Sequence, residues 1–151
     1  MIDQTFIGFR LPPHTQVVEK GRLRFFARAI GETNPVYLQE EAAKAAGWVS
    51  LPVPPTFLFC LDMERDNPYD YMDTLGIELG KVLHGEQRFN YYQVACAGDR
   101  LTFDSRITDI YQKKAGALEF VVRDTAVFRE SDESNRKKLA DLRSTIIIRH
   151  R

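Results

Sequence analysis

The chain lacks a surplus of charge of either sign. Its 21 Lys and Arg residues balance its 21 Asp and Glu residues, so the formal net charge is zero. Proteins that bind nucleic acid usually carry a basic excess or a basic stripe on one face. Because neither feature is present here, we expect no nucleic-acid partner.

Cysteine and long apolar runs are also scarce. The two cysteines, Cys60 and Cys96, are far apart and form no CxxC pair. A disulfide framework is therefore not expected, which favours a reducing compartment, the cytoplasm. The first ten residues have no apolar core of a signal peptide. No apolar run approaches the roughly 20 residues that a membrane helix needs, so we expect no membrane partner.

Histidine is the third scarce residue type. His14, His84 and His150 are scattered along the chain and have no cysteine neighbours. Because a metal site gathers several such ligands, the sequence predicts no bound metal, and we expect no other cofactor. His84 is the histidine of interest, since it lies in a predicted strand from which it can reach a cleft. A strand histidine is more commonly a hydrogen-bonded structural residue.

Helical patterns occupy the first half of the chain. A helix that ends at Gly31 is predicted by apolar residues at i, i+3, i+4 and i+7, namely Leu23, Phe26, Ala27 and Ile30. A second helix is predicted over residues 38–46, before another glycine. Residues 54–63 begin with two prolines and are apolar on nearly every side. This composition predicts a buried helix.

Strand patterns fill the second half. Strands are predicted over residues 81–93, from residue 101 past a shift in phase near Ile110, and over residues 139–149. Between them, a hairpin at Ala115-Gly116 leads to a strand in which alternating apolar residues share one face: Leu118, Phe120, Val122, Ala126 and Phe128. One buried helix followed by long antiparallel strands predicts an α+β domain. In this arrangement, the hot-dog fold, an antiparallel sheet wraps a long buried central helix.

The segment 31–37, GETNPVY, is the most informative motif. It resembles the G-D-x-N-P-[LIV]-H signature of MaoC-like (R)-specific enoyl hydratases and 3-hydroxyacyl dehydratases, and it matches at Gly31, Asn34, Pro35 and Val36. Ala43 and Gly47 continue the family spacing, and residues 98–101 resemble its G-D-x-L turn. The resemblance covers nearly the whole chain and implies a single MaoC-like hot-dog domain over residues 1–151.

Three departures affect the positions that carry the family's chemistry. Where the family has an Asp and a His that hold one water, this chain has Glu32 and Tyr37. Glutamate shifts the carboxylate by one methylene, and a phenol is a poor base at neutral pH. Where a backbone N–H at the start of the buried helix polarises the thioester carbonyl, this chain has Pro54 and Pro55, which lack N–H groups. The N–H of Thr56 is the candidate substitute.

The resemblance therefore implies an accessory subunit. The chain is similar to the non-catalytic hot-dog half of fungal fatty-acid-synthase-type dehydratases and to the accessory subunit of mycobacterial heterodimeric dehydratases. Its candidate catalytic residues are Glu32, Tyr37 and His84, and its candidate substrate-binding residues are Asn34, Pro54, Pro55 and Thr56. The expected partners are an acyl-CoA or acyl-carrier thioester and a second hot dog. The assembly is then a homodimer, or a heterodimer with a catalytic MaoC-like chain.

Three other functions stay open from the residues alone. A self-sufficient hydratase would use Glu32 with His84 or Tyr37. A hot-dog thioesterase would use Asp62 or Glu64 on the buried helix, although both residues are also consistent with polar groups at a helix end. A binding module would hold an acyl-CoA without chemistry. In each case Asn34-Pro35 is also consistent with a structural turn.

Other segments suggest contacts with partners. Three consecutive isoleucines, 146–148, cannot all point to one face of a strand, so at least one should meet a second subunit or a covering segment. This pattern predicts a dimer. Tyr69 and Tyr71 are candidates to cover an acyl tunnel or simply to pack their loop, and residues 135–138 are candidates to contact a phosphate of coenzyme A or of a carrier. A solvated loop is the more common explanation of the latter segment.

Overall fold

The computed structural model describes residues 1–130 and 136–150. Its helices are α1 (Lys20–Ala29), α2 (Glu40–Ala45), α3 (Phe57–Asp62) and α4 (Asp70–Thr74). Its strands are β1 (His14–Val17), β2 (Val82–Tyr91), β3 (Arg100–Lys113), β4 (Leu118–Arg129) and β5 (Lys137–Arg149). Asn135, the first residue of the predicted phosphate contact, lies outside the described residues.

The strands form one antiparallel sheet in the order β1-β3-β4-β5-β2. Helix α3 packs on its inner face, where Leu58 and Leu61 join a buried cluster with Phe103 and Val127. This α+β arrangement is the hot-dog fold, so the predicted fold class is confirmed. The long strand β2 forms one edge of the sheet, and the four-residue strand β1 forms the other.

The central helix is buried, but the prediction of a long helix is wrong. Helix α3 has only six residues, because Pro54 and Pro55 form a turn before it. In this turn Phe57 N–H donates to the Pro54 carbonyl. Side chains of β1 donate to carbonyls in the last turn of α3 and just beyond it. His14 Nε2 donates to Leu61 at 3.4 Å, and the Gln16 amide donates to the Glu64 carbonyl.

The strands carry the irregularities that the sequence indicates. The register of β3 against β4 shifts between Ile107 and Asp109, which confirms the change of phase. The hairpin that follows holds Ala115 and Gly116 at positive φ, 51° and 86°. The apolar residues predicted to share one face of β4 do so, but that face is the outer one, where Val122 is buried and the other four are half-buried. The inner, buried face instead carries Val121, Arg123, Thr125 and Val127.

The three isoleucines divide between the two faces of β5. Ile146 and Ile148 are buried in the inner core, whereas Ile147 is half-buried on the outer face. There Ile147 lies opposite Phe120 on one side and Leu83 on the other. Leu83 is 51% exposed, so this apolar row continues to the uncovered edge of the sheet.

Two polar groups tie remote segments to the sheet. The ring of His14 stacks on Phe103, and Arg65 Nη2 donates to the Nδ1 atom of His14 at 2.7 Å. Desolvation, with the nearby Arg65 charge, lowers the pKa of His14 below its ordinary value.

The buried carboxylate of Glu119 joins residues near both ends of the described chain. It accepts from Ile2 N–H at 2.9 Å, from His150 Nε2 at 3.0 Å and from the Gln112 amide at 3.3 Å. Burial acts to raise the pKa of Glu119, but these hydrogen bonds outweigh it and hold the pKa below its ordinary value.

Candidate functional site

The motif loop uses its polar side chains to hold itself together. Gly31 follows α1 at φ +74°, the left-handed conformation that lets the chain leave the helix. Glu32 Oε1 then accepts from Asn34 N–H at 2.8 Å, and Asn34 Oδ1 accepts from Val36 N–H at 3.1 Å. These bonds cap a short turn, Pro35–Tyr37. Two candidate site residues, Glu32 and Asn34, therefore have a local structural role.

An apolar cavity of about 180 Å³ lies beside this loop, and we call it the motif cavity. Tyr37 and Pro55 both line it, together with Trp48, Leu58 and Tyr91. The structure thus brings together two of the candidate residues, one from each family motif. Glu32 is not among the residues that line this cavity.

The start of α3 presents a mixture of buried and exposed candidates. Pro54 is buried, whereas Pro55 and Thr56 are exposed. Among the described residues, no group accepts a hydrogen bond from Thr56 N–H. This amide is therefore available to an incoming carbonyl, as the sequence suggests, but it stands one residue beyond the two prolines.

A second cavity, of about 200 Å³, lies at the β2 edge of the sheet, and we call it the edge cavity. His84 of β2 lines it and contacts the ring of Phe59 of α3 at 5.7 Å between centroids. The predicted tunnel residues Tyr69 and Tyr71 line it as well. The edge cavity and the motif cavity share no lining residue. Within one chain, His84 is therefore not brought together with Tyr37.

Sequence reasoning missed Arg123, which lies at the wall of the edge cavity. Its Nη2 donates to Asp62 Oδ2 at 2.7 Å, and the two side chains are only 6% and 2% exposed. The guanidinium also lies 5.5 Å from the centre of the Tyr71 ring, and burial raises the pKa of Tyr71. Two features of the sequence could have indicated this ion pair, namely an aspartate in an otherwise apolar helix and an arginine in the middle of a strand.

This ion pair bears on the thioesterase alternative. Asp62, one candidate to activate water, is committed to Arg123, and Glu64, the other, pairs with Arg22. Neither carboxylate of this region is a free base, so the geometry gives the thioesterase no support. Within residues 1–130 and 136–150, no three His, Cys, Asp or Glu side chains gather into a possible metal site. No helix of the described chain is long and apolar enough to cross a membrane.

The family of the chain follows from comparison with known proteins. The model for the FAS1-like dehydratase domain region matches residues 5–135. The chain belongs to this dehydratase family. It is similar to a UPF0336 protein of Streptomyces avermitilis, with 42% identity over 111 residues, 72% of this chain and 73% of that protein.

Solved structures extend the likeness of this chain to the MaoC-like fold. The HadBC complex of Mycobacterium tuberculosis, described as a 3R-hydroxyacyl-ACP dehydratase, superposes with a TM-score of 0.76 at 24% identity. The match covers 94% of this chain and 96% of that one. The MaoC-like dehydratase of Rhodospirillum rubrum gives 0.67 at 16% identity, with 96% and 93% covered. Together with the family match, they confirm the recognition made from the motif.

Proposed function

We propose that this chain is the accessory subunit of a hydratase or dehydratase that acts on acyl thioesters, and that it pairs with a catalytic hot dog. One observation carries the proposal: each position that does chemistry in the family is occupied by a group unsuited to it. Glu32 Oε1 holds a backbone N–H of its own loop, and Tyr37 faces an apolar cavity. The two prolines at the start of α3 have no N–H to donate.

The free edge of the sheet supports pairing with a second hot dog. Strand β2 has ten residues, and its outer side has no partner strand within the described sheet. A long uncovered edge with exposed apolar side chains, such as Leu83 and Tyr91, is a template for another strand. Val82 and His84 of β2 also line the edge cavity. A subunit joined at β2 would therefore bring its own cleft next to this cavity.

The proposal also covers the domain organisation of the chain, its cellular compartment and its substrate. The single match over residues 5–135 supports one domain spanning residues 1–151. The free thiols of Cys60 and Cys96 support a reducing compartment, the cytoplasm. The substrate is an acyl-CoA or the corresponding thioester of an acyl carrier.

The decisive test is hydration of crotonyl-CoA and longer enoyl-CoAs by the purified chain, alone and coexpressed with a catalytic MaoC-like hot dog that carries the family Asp and His. We expect turnover only with the second chain. Glu32→Gln in this chain should leave kcat of the complex within about twofold, because the amide still offers an oxygen to the Asn34 N–H. Glu41→Gln, an exposed change in α2, is the matched control. Robust turnover by the chain alone, abolished by Glu32→Gln, would overturn the accessory role.

The proposed pairing also predicts the state of the isolated chain. Without a catalytic partner, the free β2 edges of two copies can join, so we expect a homodimer in solution. Sedimentation velocity over micromolar concentrations measures this directly. A species matching one 17.4 kDa chain at every concentration would contradict the use of β2 as an interface.

A further inference from the structure

We propose that the edge cavity binds an apolar group that carries a neutral oxygen acceptor, and that Arg123 recognises this oxygen. If the chain is the accessory subunit proposed above, the ligand is the distal part of an acyl group that bears a hydroxyl or carbonyl. The inference therefore adds a substrate class to the proposed function, and it is tested separately from it.

The cavity has one polar wall and otherwise apolar walls. On the inner face of the sheet, Arg123 of β4 lies directly opposite Ser144 of β5, and His84 lies nearby on β2. All three line the cavity. Helices α3 and α4 supply apolar side chains on the other side, including Phe59 and Met72. A ligand that fits both surfaces is apolar along its body and polar where it faces the sheet.

The guanidinium of Arg123 has hydrogen-bonding capacity to spare. It carries five N–H donors, yet within the described residues it makes one hydrogen bond, from Nη2 to Asp62 Oδ2. Its Nη1 makes no hydrogen bond in that part of the chain and, unlike Nε, is not fully buried. Because the Arg123 side chain lines a cavity at 6% exposure, water reaches it poorly. An oxygen in the cavity would satisfy a donor that a plain alkyl chain leaves unpaired.

The charge balance decides which oxygen is suitable. Asp62 already neutralises Arg123 at 2.7 Å. A ligand carboxylate would add a second negative charge to a buried site with one fixed cation, which is unfavourable in a medium of low polarisability. A hydroxyl or carbonyl oxygen accepts the same hydrogen bond without adding charge. The site therefore favours neutral oxygen groups over both carboxylates and hydrocarbons.

The volume limits the part of the ligand that enters. An apolar cavity of about 150 Å³ in another protein holds benzene. The edge cavity, at about 200 Å³, therefore suits a six-carbon unit with one further substituent. Phenol and toluene are a matched pair for this size, since they differ only in hydroxyl against methyl. Benzoate adds the carboxylate case.

The experiment is a titration of the natural chain with phenol, toluene and benzoate, followed by amide chemical shifts. We expect phenol to bind about ten- to a hundredfold more tightly than toluene, the ratio for one hydrogen bond to a charged donor. Benzoate should bind more weakly than phenol. The shifts should centre on Phe59, Tyr71 and His84. Equal affinities, tighter binding of toluene or benzoate, or no binding of any probe would each overturn the proposal.

Variants assign the effect to the ion pair. Arg123→Met alone leaves Asp62 buried without a partner, so the double change Asp62→Leu with Arg123→Met is used, because it removes both charges. We expect it to reverse the preference towards toluene, whereas Arg106→Met, an exposed change on β3, should leave it unaltered. A phenol preference that survives the double change would exclude Arg123 as the recognition group. Since no thioester is turned over, this result is independent of whether the chain is catalytic.

Discussion

The buried pair of Asp62 and Arg123 makes the sharpest prediction about stability. Replacing Arg123 by Met keeps the volume of the side chain but leaves the Asp62 carboxylate without its partner at 2% exposure. Breaking a buried pair from one side typically costs about 3–5 kcal/mol. For a chain of this length, that corresponds to a fall in Tm of about 6–20 °C. Replacing both partners, Asp62→Leu with Arg123→Met, removes the stranded charge and should restore most of the loss.

Urea unfolding followed by circular dichroism, at one fixed protein concentration, measures both variants. The control is Arg143→Met. Arg143 makes a similar 2.7 Å contact with Asp124 on the outer face of the sheet, but the two side chains are 45% and 30% exposed. Solvent screens such a pair, so its loss should cost below about 1 kcal/mol. A single Arg123→Met variant as stable as this control, or a double variant no more stable than the single one, would refute the reasoning.

Three further predictions concern stability and its dependence on pH. A Cβ at Gly85 would lie 2.8 Å from a side-chain carbon of the neighbouring strand, so Gly85→Ala should lower the free energy of unfolding, measured in urea, by about 1–3 kcal/mol. Gly21→Ala, in open space within α1, should raise it by about 0.5–1 kcal/mol. The opposite order would contradict the packing at the β2 edge. Glu119→Gln should cost about 1–3 kcal/mol at pH 7. The folded-state pKa of Glu119 is lowered, so the carboxylate contributes to the free energy of unfolding above its ordinary pKa of 4.5, and this contribution is lost as pH falls through the folded-state pKa. The free energy of unfolding of Glu119→Gln should therefore fall less steeply in acid than that of the control variant Asp66→Asn. The lowered pKa of His14 means that the free energy of unfolding of the natural chain falls as pH drops below about 6.5. The variant His14→Phe, which keeps a ring on Phe103, should lack this fall, and an unchanged fall would exclude His14 as its source.

Local patterns in the sequence determined the elements and the family. Helix α1 with its left-handed Gly31, the phase shift in β3 and the hairpin at residue 115 all depend on neighbouring residues, and the structure has them where the pattern places them. The motif at residues 31–37 and the strand order were enough to predict the hot-dog fold and the MaoC-like family. The same motif located Tyr37 and Pro55, which line one cavity.

Contacts between residues distant in sequence decided the rest. Alternation along β4 shows that its two faces differ, but it does not show which face is covered. Arg123 faces inward because Asp62, 61 residues earlier, supplies a buried counter-charge, so the more apolar face is left outside. The carbonyls of Leu61 and Glu64, in and just beyond the last turn of α3, accept hydrogen bonds from side chains of β1, which lie 47 and 48 residues earlier. His84 and Tyr37 line different cavities, the first beside Phe59 of α3 and the second beside Leu58 of the same helix, and only the packing of the helix on the sheet sets this separation.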